Sequence, residues 1–346
     1  MGKDLLTRPY GRFYYLPKLL ADRGHEVYLL LLSYEKEADV TIHAHGFSWT
    51  STSIFNTGPI RYMKKTKEIV RDEHPDWVIG FSDTYYGIFA QKLANRYGAR
   101  SAIDAYDNYE GYIPWLQPLH YLWRKSLSRA TLVTAAGPSL IQEFQKSRGA
   151  QPSVIVPMAA DPSGFVPLDR RTCRKGLNLP LDKKLIGYCG GVSSSRGIET
   201  LFDAFAQLSK RRPDAKLILS GRKDRNIKLP TDAHWLGYLP DEAVPRLLNS
   251  LDVLVVSNRP SKFGKFSHPV KLYEAMACNI PVVASATPST QWILKDHPEL
   301  LVEPENPSKL CETIERVLTN GHIDYGDQAD WQTSCEIFEQ ALEKYR

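Results

Sequence analysis

The chain has 346 residues, a length that suggests two domains rather than one. With 42% hydrophobic and 24% charged residues it has ordinary globular usage, which excludes a disordered chain, a collagen-like repeat and a coiled coil. The net charge of +5 comes from bases interleaved with acids, so it permits an anionic ligand or a membrane surface and gives no reason to expect nucleic acid. In chain order, residues 1–6 leave room for only a short first strand, or the natural start lies upstream. Helical periodicity then covers 14–23, 60–71, 87–97, 112–127 and 139–146, alternating with apolar runs at 26–32, 77–81, 101–106, 130–135 and 154–158. Between 160 and 182 the pattern loses its period and gathers Pro, Arg and Asp, which reads as a linker.

A second series begins afresh with strands at 185–189, 216–220, 253–256 and 281–284 and helices at 198–210, 241–249, 270–277 and 307–319. A last amphipathic helix spans 328–345. The expected fold class is α/β, two Rossmann-like doubly wound domains facing a ligand cleft at the C-terminal ends of their strands. The boundaries expected are 1–162, 163–325 and a final helix 326–346. The opening Met1-Gly2-Lys3-Asp4 lacks an apolar signal core, and the five scattered cysteines without a CxxC pair read as free thiols in a reducing cytosol.

The densest chemistry lies in Ser267-His268-Pro269-Val270-Lys271-Leu272-Tyr273-Glu274-Ala275-Met276-Ala277. Ser267 or His268 is placed to cap a helix whose first turn holds Pro269. Lys271 and Glu274 share one helical face, and with Leu272, Ala275 and Met276 on the core side both charges are expected to face the cleft. An anion at that helix start meets N–H groups, the positive dipole end and the Lys271 ammonium, while Glu274 is suited to a ribose diol. The pair fits a nucleoside diphosphate; an exposed structural ion pair is the plainer alternative. In Gly187-Tyr188-Cys189-Gly190-Gly191-Val192-Ser193-Ser194-Ser195-Arg196-Gly197, Gly190 and Gly191 let the backbone approach a phosphate and Arg196 offers a bidentate contact. The spacing is not GxGxxG, so a dinucleotide fingerprint fails.

Gly11 and Arg12 form another glycine turn before the first helix. Asp104 to Glu110 gathers carboxylates past a strand end, where Asp107 can orient a sugar, assist proton transfer or simply cap a helix. His43 and His45 share a strand face without further ligands at metal spacing, so no metal is expected. Segment 112–127 mixes Trp115, Leu116, Tyr121 and Trp123 with Arg124 and Lys125, a pattern suited to an anionic membrane surface or to a core helix with a basic outer side.

These residues, in this order, resemble the retaining glycosyltransferases of family 4, which have the GT-B fold. Arg23-Gly24-His25-Glu26-Val27 is similar to the family's first helix-to-strand junction, and His74-Pro75-Asp76-Trp77-Val78 to its second strand entry. Val156-Pro157-Met158-Ala159-Ala160-Asp161 through Phe165 resembles its interdomain link. Lys271 to Ala277 followed by Ile280-Pro281-Val282-Val283-Ala284 carries the most specific motif. The resemblance implies a nucleotide-sugar donor held by the C-terminal domain, a glycan or lipid-linked acceptor, no cofactor or metal, and a final helix crossing back to the first domain. Donor-binding roles then fall to Gly11, Arg12, Gly190, Gly191, Arg196, His268, Lys271 and Glu274, and catalytic roles to Arg196, Lys271 and Asp107. Several positions depart from the family: Phe266 stands where the first glutamate of E-x7-E is expected, Val192 replaces one of two phosphate-binding cations, for which Arg222 or Lys223 is a substitute, Tyr106 stands where a His is often found, and the Asn and Gly of the interdomain link are replaced. The function expected is retaining sugar transfer in polysaccharide or glycolipid synthesis, in the cytoplasm, either free or peripheral at the inner membrane face. A nucleotide-sugar 2-epimerase and a degenerate binding domain of the same fold are the alternatives.

Overall fold

Short runs rich in Val, Ile and Leu form the strands, and the amphipathic stretches between them form helices. The computed structural model describes residues 10–44, 46–81 and 84–346. The chain divides into two units, Met1–Met158 with Ala329–Arg346, and Ala159–Gln328. The short first strand expected over residues 1–6 lies outside the described residues, as does His45.

In the first unit, α1 (Arg12–Asp22) buries Phe13, Leu16 and Leu20. Strands β1 (Val27–Ser33), β2 (Val40–Ala44) and β3 (Phe47–Ser53) form a sheet of order β1-β3-β2, with β2 antiparallel to β3. Beyond the strand face shared by His43 and His45, the sequence predicts no strands over 40–53, because β3 is buried on both faces behind Thr50, Ser51, Thr52 and Ser53 rather than behind apolar residues. Next come α2 (Gly58–Glu73), β4 (Trp77–Phe81), α3 (Thr84–Tyr97), β5 (Arg100–Ala105), α4 (Gln117–Leu127), β6 (Leu132–Ala135), α5 (Pro138–Arg148) and β7 (Ser153–Ile155). Strands β4-β5-β6-β7 lie parallel in chain order. Helix α4 starts at Gln117, later than expected, with Pro118 in its first turn where a missing N–H is harmless. Trp123 turns inward and packs edge-on against Tyr109 and Phe144, so it is not part of any outer surface.

Arg12 is fully buried at the start of α1. Its guanidinium donates to both oxygens of Asp104 at 2.7 Å, to Val156 O at 3.0 Å and to Met158 Sδ at 3.4 Å. Thr134 of β6 donates to Asp104 Oδ1 at 2.5 Å. One cation thus ties together α1, β5, β6 and the chain segment that follows β7.

The second unit contains α6 (Arg170–Gly176), β8 (Lys184–Cys189), α7 (Ile198–Arg211), β9 (Ala215–Ser220), β10 (Ala233–Trp235), α8 (Val244–Ser250), β11 (Val253–Val256), α9 (Val270–Ala277), β12 (Val282–Ser285), α10 (Pro288–Ile293), β13 (Leu301–Val302) and α11 (Pro307–Asn320). Its strands form one parallel sheet of order β10-β9-β8-β11-β12-β13, the doubly wound 3-2-1-4-5-6 arrangement. Helices α7 and α11 pack together, as do α8 and α9, and the strand residues between them are buried on both faces. Segment 160–182 is not a bare linker. Asp169 caps α6 by accepting from Thr172 N at 2.7 Å, and buried Arg174 donates to Ser250 O at 2.9 Å and to Asp252 at 2.7 Å.

Helix α12 (Trp331–Lys344) returns to the first unit. Trp331 stacks on Tyr15 with centroids 5.3 Å apart, and Glu339 accepts from Arg23 at 2.6 Å. Phe338 is fully buried, 6.0 Å from Phe81.

The buried Arg12–Asp104 pair generates a stability prediction. Arg12→Leu strands a buried carboxylate and should cost about 3–5 kcal/mol in a denaturant titration, whereas Arg12→Met with Asp104→Leu should recover most of that loss.

Candidate functional site

Strands β8 and β11 are neighbours in space although β9 follows β8 in the chain, so the winding of the second unit reverses between them. Open α/β sheets bind ligands outside the carboxyl ends of their strands at such a point. The loop leaving β8 and the loop leaving β11 both emerge there, and they are joined side chain to backbone. Ser257 Oγ donates to Gly197 O at 2.9 Å, and the Arg196 guanidinium stacks 4.5 Å over the Phe263 ring. Gly197 has φ +68°, which lets the chain turn into α7 without a side-chain cap.

The Gly190-Gly191 turn is held from below. Gly190 N–H donates to Ser220 O at 2.9 Å, and Tyr188 Oη donates to Gly191 O at 2.9 Å. The Gly190 N–H is therefore committed to the fold and is not a phosphate donor in this arrangement, although the turn keeps an open backbone surface. Its closest support is Gly221, with φ +130°; a Cβ there would lie 1.8 Å from Gly190 O. Burial pushes the Tyr188 phenol up to about 12 despite the nearby Arg196, and pushes the Cys189 thiol up to about 11 despite Lys271.

At α9 neither Ser267 nor His268 caps the helix. Pro269 occupies the cap position with no side-chain cap, and both predicted caps are buried. Lys271 Nζ lies 2.5 Å from Glu274 Oε2 and 5.7 Å from the centre of the Phe165 ring. Glu274 is 1% exposed and Lys271 27% exposed. The expectation that both charges face outward is corrected: the carboxylate lies in the interior and the ammonium covers it. A carboxylate so placed needs a cation or hydrogen-bond donors to remain ionised.

The remaining candidates separate. Arg196, Gly190, Gly191, His268, Lys271 and Glu274 belong to the second unit, whereas Gly11, Arg12 and Asp107 belong to the first. Arg12 has no surface to offer a donor, because every contact described above is internal. Gly11 supplies the φ of 64° that opens α1. Asp107 is buried and accepts from Tyr112 Oη at 2.7 Å. Lys223 donates to Asp224 O at 3.2 Å and Ile227 O at 3.0 Å, and Arg222 lies 5.4 Å over Tyr238, so both proposed substitutes for the second cation have partners of their own.

The sequence reading missed Arg259. It lies beside Gly197, with its guanidinium 3.5 Å from Glu199 and 3.3 Å from Glu305. A cation three residues past the end of β11 was the available signal. Among the described residues, no three His, Cys, Asp or Glu side chains are grouped to hold a metal ion.

The class defined by this architecture is the GT-B glycosyltransferase fold. The chain superposes on sucrose-phosphate synthase from Thermosynechococcus elongatus with a TM-score of 0.73 at 20% identity, covering 95% of this chain and 87% of that one. It superposes on the Anabaena protein HepE in complex with UDP at 0.69 and 17% identity, covering 96% and 89%. Within that class, residues 183–320, which lie in the second unit, match the family model described as glycosyl transferases group 1. Over 197 residues the chain is 26% identical to a Bacillus subtilis protein provisionally described as a teichuronic acid biosynthesis glycosyltransferase, covering 56% of this chain and 48% of that protein. It is 25% identical to D-inositol 3-phosphate glycosyltransferase of Corynebacterium jeikeium, covering 55% and 51%. The chain spans about half the length of these curated relatives.

Two outcomes follow from the site's backbone and thiols. Gly221→Ala should displace the Gly190-Gly191 turn and lower the melting temperature, read by thermal denaturation. Alkylation of Cys189 should be negligible at pH 8 and rise only as the pH approaches its pKa of about 11.

Proposed function

We propose that the protein transfers a sugar from a nucleoside diphosphate sugar to an acceptor hydroxyl, with retention at the anomeric carbon. The observation that carries this reading is the Lys271–Glu274 pair at the uncapped start of α9, on the same sheet edge as Arg196 on its Phe263 platform. In the reaction the bond from the anomeric carbon to the diphosphate oxygen breaks, and negative charge collects on the leaving diphosphate. Cations and N–H groups fixed toward that charge stabilise the transition state more than the ground state. Losing one such contact in comparable sites costs about 2.7–4 kcal/mol.

Arg196, Lys271 and the first-turn N–H groups of α9 supply this set from the chain itself, with no cofactor. Glu274 accepts the ribose hydroxyls, whose hydrogen bonds compensate the carboxylate when Lys271 turns to the diphosphate. The exposed Gly191 backbone gives the donor a close approach. Asp107 of the first unit is assigned to orienting the sugar or acceptor hydroxyl. Retention is supported by the family resemblance of the Lys271–Ala284 motif, and a polysaccharide or glycolipid acceptor by the description of the Bacillus subtilis relative.

The test separates a ligand role from a structural pair. A panel of UDP-, GDP-, ADP- and dTDP-sugars should yield one nucleotide that raises the melting temperature, since ligand at 100 times its Kd adds about 2.7 kcal/mol. Lys271→Ala should lose both stability and donor affinity, because it leaves Glu274 buried without its cation. Adding Glu274→Gln should restore most of the stability while turnover stays down by about 100- to 1,000-fold. If the double variant binds and reacts like the parent, the pair is structural and the donor lies elsewhere. Product NMR showing inverted configuration would overturn retention.

A further inference from the structure

The outer faces of the first unit's helices carry apolar residues where a water-facing helix carries polar ones. In α4 the inner side buries His120, Trp123, Ser126 and Leu127. Its outer side presents Tyr121 and Leu122, with Trp115 and Leu116 just before the helix; Trp115 is 77% and Tyr121 64% exposed. Lys125 lies 5.8 Å over the Tyr121 ring. In α2, Tyr62 and Val70 face inward while Ile60, 81% exposed, and Met63 in its first turns face outward; Phe55, three residues before the helix, is exposed as well. Single surface hydrophobics are normal in soluble proteins, but clusters of this kind mark interaction sites.

Topology brings the two clusters to one edge. Helices α3 and α4 follow the parallel strands β4 and β5, so both start at the carboxyl edge of that sheet. Helix α2 ends three residues before β4 begins, so it runs back along the sheet and starts at the same edge. Helix α3 packs against both α2 and α4, and its first turn presents exposed Tyr85 between them. The edge is charged: exposed Glu37 and Asp39 adjoin the start of α2, where Thr57 donates to Asp39 at 2.7 Å, and the first turns of α2 itself are basic. Residues 58–67 hold Arg61, Lys64, Lys65 and Lys67 without an acid, and Glu68, 3.9 Å from Lys64, is the first carboxylate in α2.

We propose that this edge of the first unit docks on an anionic lipid bilayer, with Trp115, Tyr121, Ile60 and Phe55 entering the headgroup region and the α2 cations meeting lipid phosphates. Trp and Tyr beside Lys and Arg suit the membrane–water interface, whereas lysine is depleted from the cores of protein–protein interfaces. Among the described residues no helix is long and apolar enough to cross a membrane.

The experiment is flotation of the full chain with vesicles of phosphatidylcholine alone and with added phosphatidylglycerol. Binding should require phosphatidylglycerol and be lost at about 1 M salt, where the screening length falls to roughly 3 Å. Lys64→Ala with Lys67→Ala should weaken binding about 30-fold. Trp115→Ala should weaken it as well, and the tryptophan emission of the parent should shift to the blue on binding. Nucleotide-sugar thermal shifts on the same samples should be unchanged, so failure of the donor reading and failure of the membrane reading are told apart. Absence of flotation with anionic vesicles, or equal binding to neutral ones, overturns the proposal. So does a dimer in light scattering that Trp115→Ala abolishes, since a second copy would then be the occupant.

Discussion

The first unit depends on one buried guanidinium. Arg12 has no exposed surface, so its charge must be answered inside the protein, and Asp104 on one strand and Val156 O with Met158 in the segment after β7 answer it. A pair of this kind tolerates little displacement, because in a low-dielectric interior each lost contact leaves a group with no water to replace it. The turn that follows β5, and with it Asp107, is therefore registered against α1 by an interaction three residues away. The loop that holds Asp107 inherits its position from the core beneath it.

The second unit solves a different problem. Its cations at the carboxyl edge of the sheet each have a companion within the unit: Lys271 has Glu274, Arg259 has Glu199 and Glu305, and Arg196 has Phe263. Binding an anion there exchanges partners instead of relieving isolated charge. An anion that cannot replace what it displaces gains little from the exchange.

Legibility from sequence followed the physics of each element. The strand Val253–Val256 and the helix Val270–Ala277 were read to the residue, since an apolar run buried on both faces and a helix bounded by proline leave few alternatives. Strand β3 was invisible because hydroxyl side chains took the buried positions, and α6 because its anchor is the buried pair of Arg174 with Asp252 rather than a hydrophobic stripe. Lys271 and Glu274 were found from spacing, but spacing says nothing of depth, so the burial of Glu274 could not be read. Arg12 was taken for a ligand residue because a glycine turn before a helix looks the same whether the cation points out or in. Arg259 was missed because its neighbour Gly197 is 62 residues away in the chain and close only in the fold.

The return of α12 has a consequence for how the molecule is made. A ribosome releases all of the second unit's residues, Ala159–Gln328, before the helix that covers Tyr15 and Phe81. The second unit is contiguous and can close its sheet as it emerges, whereas the first, begun earlier, waits with the α1 surface beneath Trp331 and Phe338 still uncovered. Synthesis order and completion order are thus reversed, and the nascent first unit is the part that needs shelter from aggregation until the last residues leave the tunnel.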